Sequence, residues 1–183
     1  MKLLGIAENH DGYITVSVEP TMVRKGHPLA SVNGVFNAIY VYGEAVGETM
    51  FYGRGAGEMP TATSVVADIV AVVKNLKLEV NGRRNLKEYK EVKLLPEEQV
   101  RSKYFVLLHV EDKAGVLARI TQIFGEHEVS LESVIQQPNS VNPNAEIVII
   151  THDASKTNMQ AVLRAFESLD VVQEIRSVYR VEG

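Results

Sequence analysis

Apolar positions recur along this chain with changing rhythm, and each change of rhythm marks a new element. From Tyr13 to Glu19 the alternation is strict, with Ile14, Val16 and Val18 on one face and Thr15, Ser17 and Glu19 on the other. That period of two predicts a half-buried strand. Leu3 to Ala7 is a short apolar run, and His10-Asp11-Gly12 supplies a turn between the two, so an antiparallel hairpin is expected. Pro20 and the polar Arg24-Lys25-Gly26-His27-Pro28 stretch are expected to break its pairing. Val35 to Tyr42 and Val46 to Tyr52 form a second pair of β-rich runs around Gly43-Glu44-Ala45. From Thr61 the period becomes helical, because Val65, Val66, Ile69, Val72, Val73 and Leu76 fall on one helical face, whose ordinary role is to cover a sheet.

Between about residue 77 and residue 103 the composition turns charged and polar, with Asn81-Gly82-Arg83-Arg84 and Pro96-Glu97-Glu98, and no period survives. This predicts a connector between two domains, 1–76 and 104–183. In the second, Tyr104 to Val110 reads as a strand, Asp112-Lys113-Ala114-Gly115 as a tight turn, and Val116 to His127 as a helix directing Leu117, Ile120, Ile123 and Phe124 inward. Strands follow at Ser130 to Ile135 and Ala145 to Thr151, joined by the turn-rich Pro138 to Asn144. A helix from about Thr157 to Leu169, capped by Ser155, and a last strand from Val171 to Val181 complete the set. The order βαββαβ is that of the ferredoxin-like split βαβ motif. The fold class expected is therefore α+β: a partial antiparallel sheet with a covering helix, then a ferredoxin-like domain.

Composition narrows the function. With 183 residues, 45% of them apolar, and a formal net charge of -4, the chain has the profile of a globular protein. No basic stripe is present to neutralise phosphates, which argues against a nucleic-acid partner. The absence of cysteine removes disulfides and thiolate metal sites and suits a reducing, cytoplasmic setting. The opening MKLLGIAENHDG lacks the apolar core of a signal peptide, and no run of eighteen apolar residues suggests a membrane partner. His10, His27, His109, His127 and His152 are scattered, without the i, i+4 pairing of a zinc site. No serine stands in a nucleophile elbow.

The most informative stretch is GRGAGEMPTATSVVADI, from Gly53 to Ile69, where three glycines run straight into the apolar helix. Glycines let backbone approach a ligand closely, and the helix start offers unpaired N–H groups and a positive dipole end. By itself it is a poor dinucleotide fingerprint, because Glu58 occupies the place of the third glycine of GxGxxG. A plain glycine-rich connection between strand and helix competes with that reading. The turn at Asp112 to Gly115 also has two readings. The helix starting near Val116 would present N–H groups to a carboxylate, with Gly115 removing the side chain that would block it. Alternatively, Asp112 is simply a good helix cap.

Two resemblances cover nearly all of the chain. VEDKAGVLARITQIFGEHEVSLESV, with Asp112, Gly115, Val116 and Leu117, resembles the ACT domain, a regulatory module of amino-acid metabolism. That resemblance implies a free amino acid bound at Asp112, Ala114, Gly115, Val116 and Leu117, usually where two copies meet. KLLGIAE, VSVEPTMVRKGHPLASVNGVFNAIYV and GETMFYGRGAGEMPTATSVVADI, in that order, resemble the C-terminal part of the catalytic region of homoserine dehydrogenase, the bacterial type that ends in an ACT domain. In that family the enzyme interconverts aspartate semialdehyde and homoserine with a nicotinamide cofactor, commonly under feedback by threonine. The resemblance implies that Gly53, Gly55, Ala56, Gly57 and Thr61 lie beside NAD(P), and that His27, in the shared GHPLASV, has a structural role.

The family's Rossmann domain, catalytic lysine and substrate-holding acids have no counterpart here, so the chain reads as an N-terminally truncated enzyme. Alone it is expected to be inactive and to bind no cofactor tightly, because hydride transfer needs both reactants held in one preorganised site. A homo-oligomer through the sheet and the ACT domain is expected, with threonine as effector. Two alternatives are a free-standing amino-acid-binding ACT protein without catalysis, and an interaction protein that completes its sheet with a partner.

Overall fold

The computed structural model describes residues 1–80, 91–138 and 144–182. Asn81-Gly82-Arg83-Arg84 and most of the turn-rich segment after Pro138 lie outside them. The chain forms two compact units, one of Met1–Arg24 with Val92–Gly183 and one of Lys25–Glu91. The first twenty-four residues therefore belong structurally with the terminal domain, although the alternating pattern groups them with the strands that follow.

In the first unit, β6 (Arg101–Glu111), α2 (Val116–Glu126), β7 (Leu131–Pro138), β8 (Asn144–Thr151), α3 (Lys156–Glu167) and β10 (Val172–Glu182) follow one another in the expected βαββαβ order. The strands lie in the order β10-β6-β8-β7, all antiparallel, which is the ferredoxin-like arrangement. β9 (Ala154–Ser155) adds a short pairing to the start of β6. Alternation along β6 and β8 puts Val106, Leu108, Val110, Ala145, Ile147 and Ile149 under the helices, fully buried. From α2 and α3, Ile120, Phe124, Met159, Val162 and Phe166 descend onto them, and Phe124 meets Phe166 edge to face at 5.3 Å. Ser155 caps α3 by accepting a hydrogen bond from the Asn158 N–H at 3.1 Å. Leu117 and Ile123 are only partly buried, while Val116 takes a core position at the first helical residue.

β1 (Lys2–His10) and β2 (Tyr13–Val23) form the expected hairpin, closed by Asp11 and Gly12 at positive φ, and join this sheet beside β10. β2 runs on through Pro20 to Val23 instead of ending there. On the side away from β1, among the described residues, it pairs at Tyr13–Ile14 with β5 (Lys93–Leu94) and at Thr21–Val23 with β10, and no strand there requires an N–H from Pro20. On β2 the inward face is the polar one, paired with Leu4, Ile6 and Glu8 on β1. Thr15 and Thr21 are buried, whereas Val16 and Val18 are 63% and 77% exposed. What draws the polar face inward is Arg180 on β10, 7% exposed, which donates to Glu8, Ser17 and Glu182.

In the second unit, a short 3₁₀ turn at Pro28–Ser31 leads to β3 (Phe36–Gly43) and β4 (Gly47–Arg54), a two-stranded hairpin whose three-residue loop is followed by Gly47 at φ 68°. α1 (Glu58–Lys77) follows. Its apolar face was expected to cover a sheet. Instead Val65, Val66, Ile69, Val72, Val73 and Leu76 are 49–72% exposed, and no residue from 25 to 80 is buried. A two-stranded ribbon offers too little apolar surface to hold a twenty-residue helix.

Candidate functional site

The glycine loop connects the end of β4 to α1 and is shaped by its neighbours. The N–H of Gly55 donates to the Val35 carbonyl at 3.1 Å, and a Cβ at Gly55 would land inside the Asn37 side chain, so a larger residue there must displace Asn37. Gly57 opens α1 at φ 135°, and an added Cβ there would stand 3.3 Å from the Pro60 ring. Thr61 turns its hydroxyl back on the Gly57 carbonyl at 2.8 Å, locking the corner. No side chain caps the helix, and Pro60 lacks a donor, so among the described residues the N–H groups of the first turn without a partner are those of Glu58 and Met59. With the Glu58 carboxylate in the same turn, the site is poor for a pyrophosphate. It suits the close approach of a flat group to bare backbone. Gly53 near the end of β4 and Ala56 in the loop are exposed, and Arg54 lies 5.4 Å over the Phe36 ring, which stacks on Tyr52.

At the other predicted site, Gly115 is the residue that opens α2, at φ 89° in the left-handed region. A Cβ there would meet no atom within 4 Å. The left-handed backbone by itself calls for glycine, and the space where a Cβ would stand is free of protein atoms. Asp112 is exposed and makes no capping bond to the helix, so the capping explanation of this turn does not hold. The N–H of Val116 is taken by the Lys113 carbonyl at 3.3 Å, while those of Leu117 and Ala118 have no backbone partner among the described residues. The turn formed by Asp112, Ala114 and Gly115 thus delivers an uncapped helix start, with Val116 anchored in the core beneath it and Leu117 half-buried beside it.

Among the histidines, His27 has a plain structural role. Its Nδ1 accepts from the Leu29 N–H at 3.2 Å, capping the 3₁₀ turn, and its ring leans on Tyr40 at 4.8 Å. His109 stands between Glu146 and Glu174 across three strands. Among the described residues no group of His, Asp and Glu converges as metal ligands.

The polar centre around Arg180 was not foreseen. The guanidinium faces three carboxylates, Glu8 and Glu182 in direct contact and Glu19 at 4.0 Å. Burial acts to lower its pKa, but the charges of Glu182 and Glu8 outweigh this and hold it raised. Beside it the Tyr104 phenol is pushed up by burial and by the Glu19 charge. The one signal in the sequence was phase, since Arg180 occupies a position of β10 that alternation sends inward.

The sequence model of homoserine dehydrogenase matches residues 1–70, and that of the ACT domain matches residues 104–171. Homoserine dehydrogenase from Bacillus subtilis is 48% identical over the whole chain, and that from Mycobacterium bovis 40%. The crystal structure of a homoserine dehydrogenase from Thiobacillus denitrificans superposes with a TM-score of 0.87 at 34% identity over 99% of this chain, and the Staphylococcus aureus enzyme with 0.61 at 31%. Along its whole length the chain is similar to homoserine dehydrogenases. It corresponds to the C-terminal portion of these oxidoreductases, including their ACT domain, and spans about 42% of the length of the Bacillus subtilis and Thiobacillus denitrificans proteins. The resemblance seen in the residues and the α+β fold class therefore hold. The Bacillus subtilis match also runs through the residues that separate the two family segments, so the chain is similar to this family from end to end.

Proposed function

We propose that this chain supplies two working parts of a homoserine dehydrogenase: the wall against which NAD(P) lies, and the sensor that regulates the reaction. The reaction of the whole enzyme is interconversion of aspartate semialdehyde and homoserine, on the route to threonine and methionine. Gly53, Gly55, Ala56, Gly57 and Thr61 form the cofactor-facing corner. The observation that carries this reading is the fit of Gly55 against Asn37 within a collinear match to the family, because it explains why bare backbone is presented at that point.

Catalysis needs a hydride donor and a carbonyl held together, and this chain by itself carries one wall of such a site. The purified chain is proposed to be inactive and to hold no nicotinamide cofactor tightly. A spectrophotometric assay with NADPH and aspartate semialdehyde tests this, and steady turnover by the chain alone overturns it.

The uncapped turn at Asp112, Ala114, Gly115, Val116 and Leu117 is proposed to bind the carboxylate of a small amino acid, threonine by family, where two ACT domains meet in a homo-oligomer. Calorimetry with threonine on the intact chain and on its Gly115→Phe variant tests this, with binding expected in the first and abolished in the second. Unaltered affinity in the variant removes the proposed site. Among the described residues α1 is long and apolar enough to cross a membrane by length and composition. Most of it lies in the stretch shared with the family, and we read it as a helix covered by protein in a cytoplasmic enzyme.

A further inference from the structure

The sheet of the first unit extends past the reach of its helices. β2 lies beyond β10, and between these strands, α3 and the segment from Leu94 to Val100 there remains a cavity of about 360 Å³. That size is typical of a site for a small organic molecule. Leu94, Val100, Met159 and Leu163 make its walls apolar, while Glu19, Tyr104 and Arg180 make one end polar.

The charges at that end do not cancel. Arg180 is a single cation already engaged by Glu8 and Glu182, and the Glu19 carboxylate, which lines the cavity, has it as its cationic partner only at 4.0 Å. At the rim Lys156 is closed onto Glu97 at 2.6 Å and adds no net charge. The field inside is therefore negative, which favours a cation and repels an anion. Tyr104 lines the same end as Glu19, its phenol a donor and acceptor that burial and the Glu19 charge keep in the neutral form.

We propose that this cavity binds a compact aliphatic amine, its ammonium group received by Glu19 with Tyr104 beside it, and its hydrocarbon body lying between Leu94, Val100, Met159 and Leu163. The inference is independent of the proposed effector turn. Tyr104 and Glu111 lie seven residues apart on β6, so the two sites are separated by roughly 23 Å along the strand. The cavity is lined by β2, which lies in the homoserine dehydrogenase segment, and by strands and a helix of the ACT domain. An occupant would therefore fasten the β1–β2 hairpin to the ACT sheet.

The test is calorimetric titration of the intact chain with cyclohexylmethylamine, and with cyclohexylmethanol and cyclohexylacetate as its neutral and anionic counterparts. Saturable one-to-one binding of the amine is expected, with the alcohol weaker and the acid silent. Glu19→Gln should weaken the amine on the order of tenfold, the loss of one charge-assisted hydrogen bond. Gly115→Phe should leave it unchanged. Amide chemical-shift mapping on the unmodified chain supplies a readout that no folding defect can blur, with changes expected around Tyr104 and Leu163. No saturation into the tens of millimolar, equal binding of the acid, undiminished binding to Glu19→Gln, or shifts confined to the Gly115 turn would each overturn the proposal.

Discussion

The ACT sheet and the segment from residue 25 to residue 80 are both rich in valine, isoleucine and aromatic residues, yet one has a dense core and the other buries nothing. The difference lies in partners. β6 and β8 each have a strand on both sides and helices above, so every inward side chain is closed off. α1 also carries a row of apolar residues, less sharply segregated than on α2 or α3, but the β3–β4 ribbon offers it no surface of matching size. An amphipathic pattern shows that a face is made to be covered, and says nothing about what covers it.

Core truncation should separate the two regions most sharply. Phe124→Ala or Phe166→Ala should cost about 3–5 kcal/mol in denaturant unfolding, because each leaves a cavity under fully buried neighbours. Ile69→Ala, 56% exposed on α1, should stay within about 0.5 kcal/mol. A comparable loss at Ile69 would mean that α1 is covered in solution. Hydrogen exchange sharpens the same contrast, with slow amides in β6 and β8 and amides of α1 exchanging through local opening.

Next in size is the polar seam of the first unit. Arg180→Ala should cost about 1–2 kcal/mol, below the usual loss for a broken buried pair because the acids facing it retain access to water. Thr15 and Thr21 are buried with Arg180, so the variant should also speed exchange in β2. Unchanged β2 protection would show that the hairpin is held by backbone pairing alone. Gly115→Ala should cost about 1 kcal/mol, the strain of a side chain at left-handed φ, since the surrounding space is open.

The smallest effect is on pH. Glu97 is held below its ordinary pKa by hydrogen bonding to Lys156, Glu132 by Lys103 and Asp170 by Arg119. A carboxylate with a depressed folded pKa contributes stability that is complete above its unfolded value, about 4, and is lost as pH falls through the folded value. All three lie in the first unit and are exposed, so melting scans between neutral pH and pH 3 should show a shallow acid loss there that added salt diminishes. A loss that salt leaves intact would trace instead to buried groups.

Much of this was legible in the residues, and the exceptions follow a rule. Ser155 was identifiable as a cap, and Ile120 and Phe124 as core, because both depend on spacing within one element. The glycine loop was legible as a close-approach corner, but its reason, Asn37 lying across Gly55, required β3 to be folded beside it. At Gly115 the spacing singled out the residue, and the fold added a conformational demand, the left-handed φ, that sequence alone does not display. Arg180 and the cavity beside it were missed because their partners come from residues 8, 17, 19, 104 and 182, and no local pattern connects them.

By itself the sequence determined the periodicities, the caps and the ordered match to a family of dehydrogenases, since each is carried by neighbours along the chain. Only the tertiary structure decided that the first hairpin joins the ACT sheet with the polar face of β2 inward. A strand's alternation defines two faces, and the choice between them is made by whatever lies across from it, here the charge of Arg180.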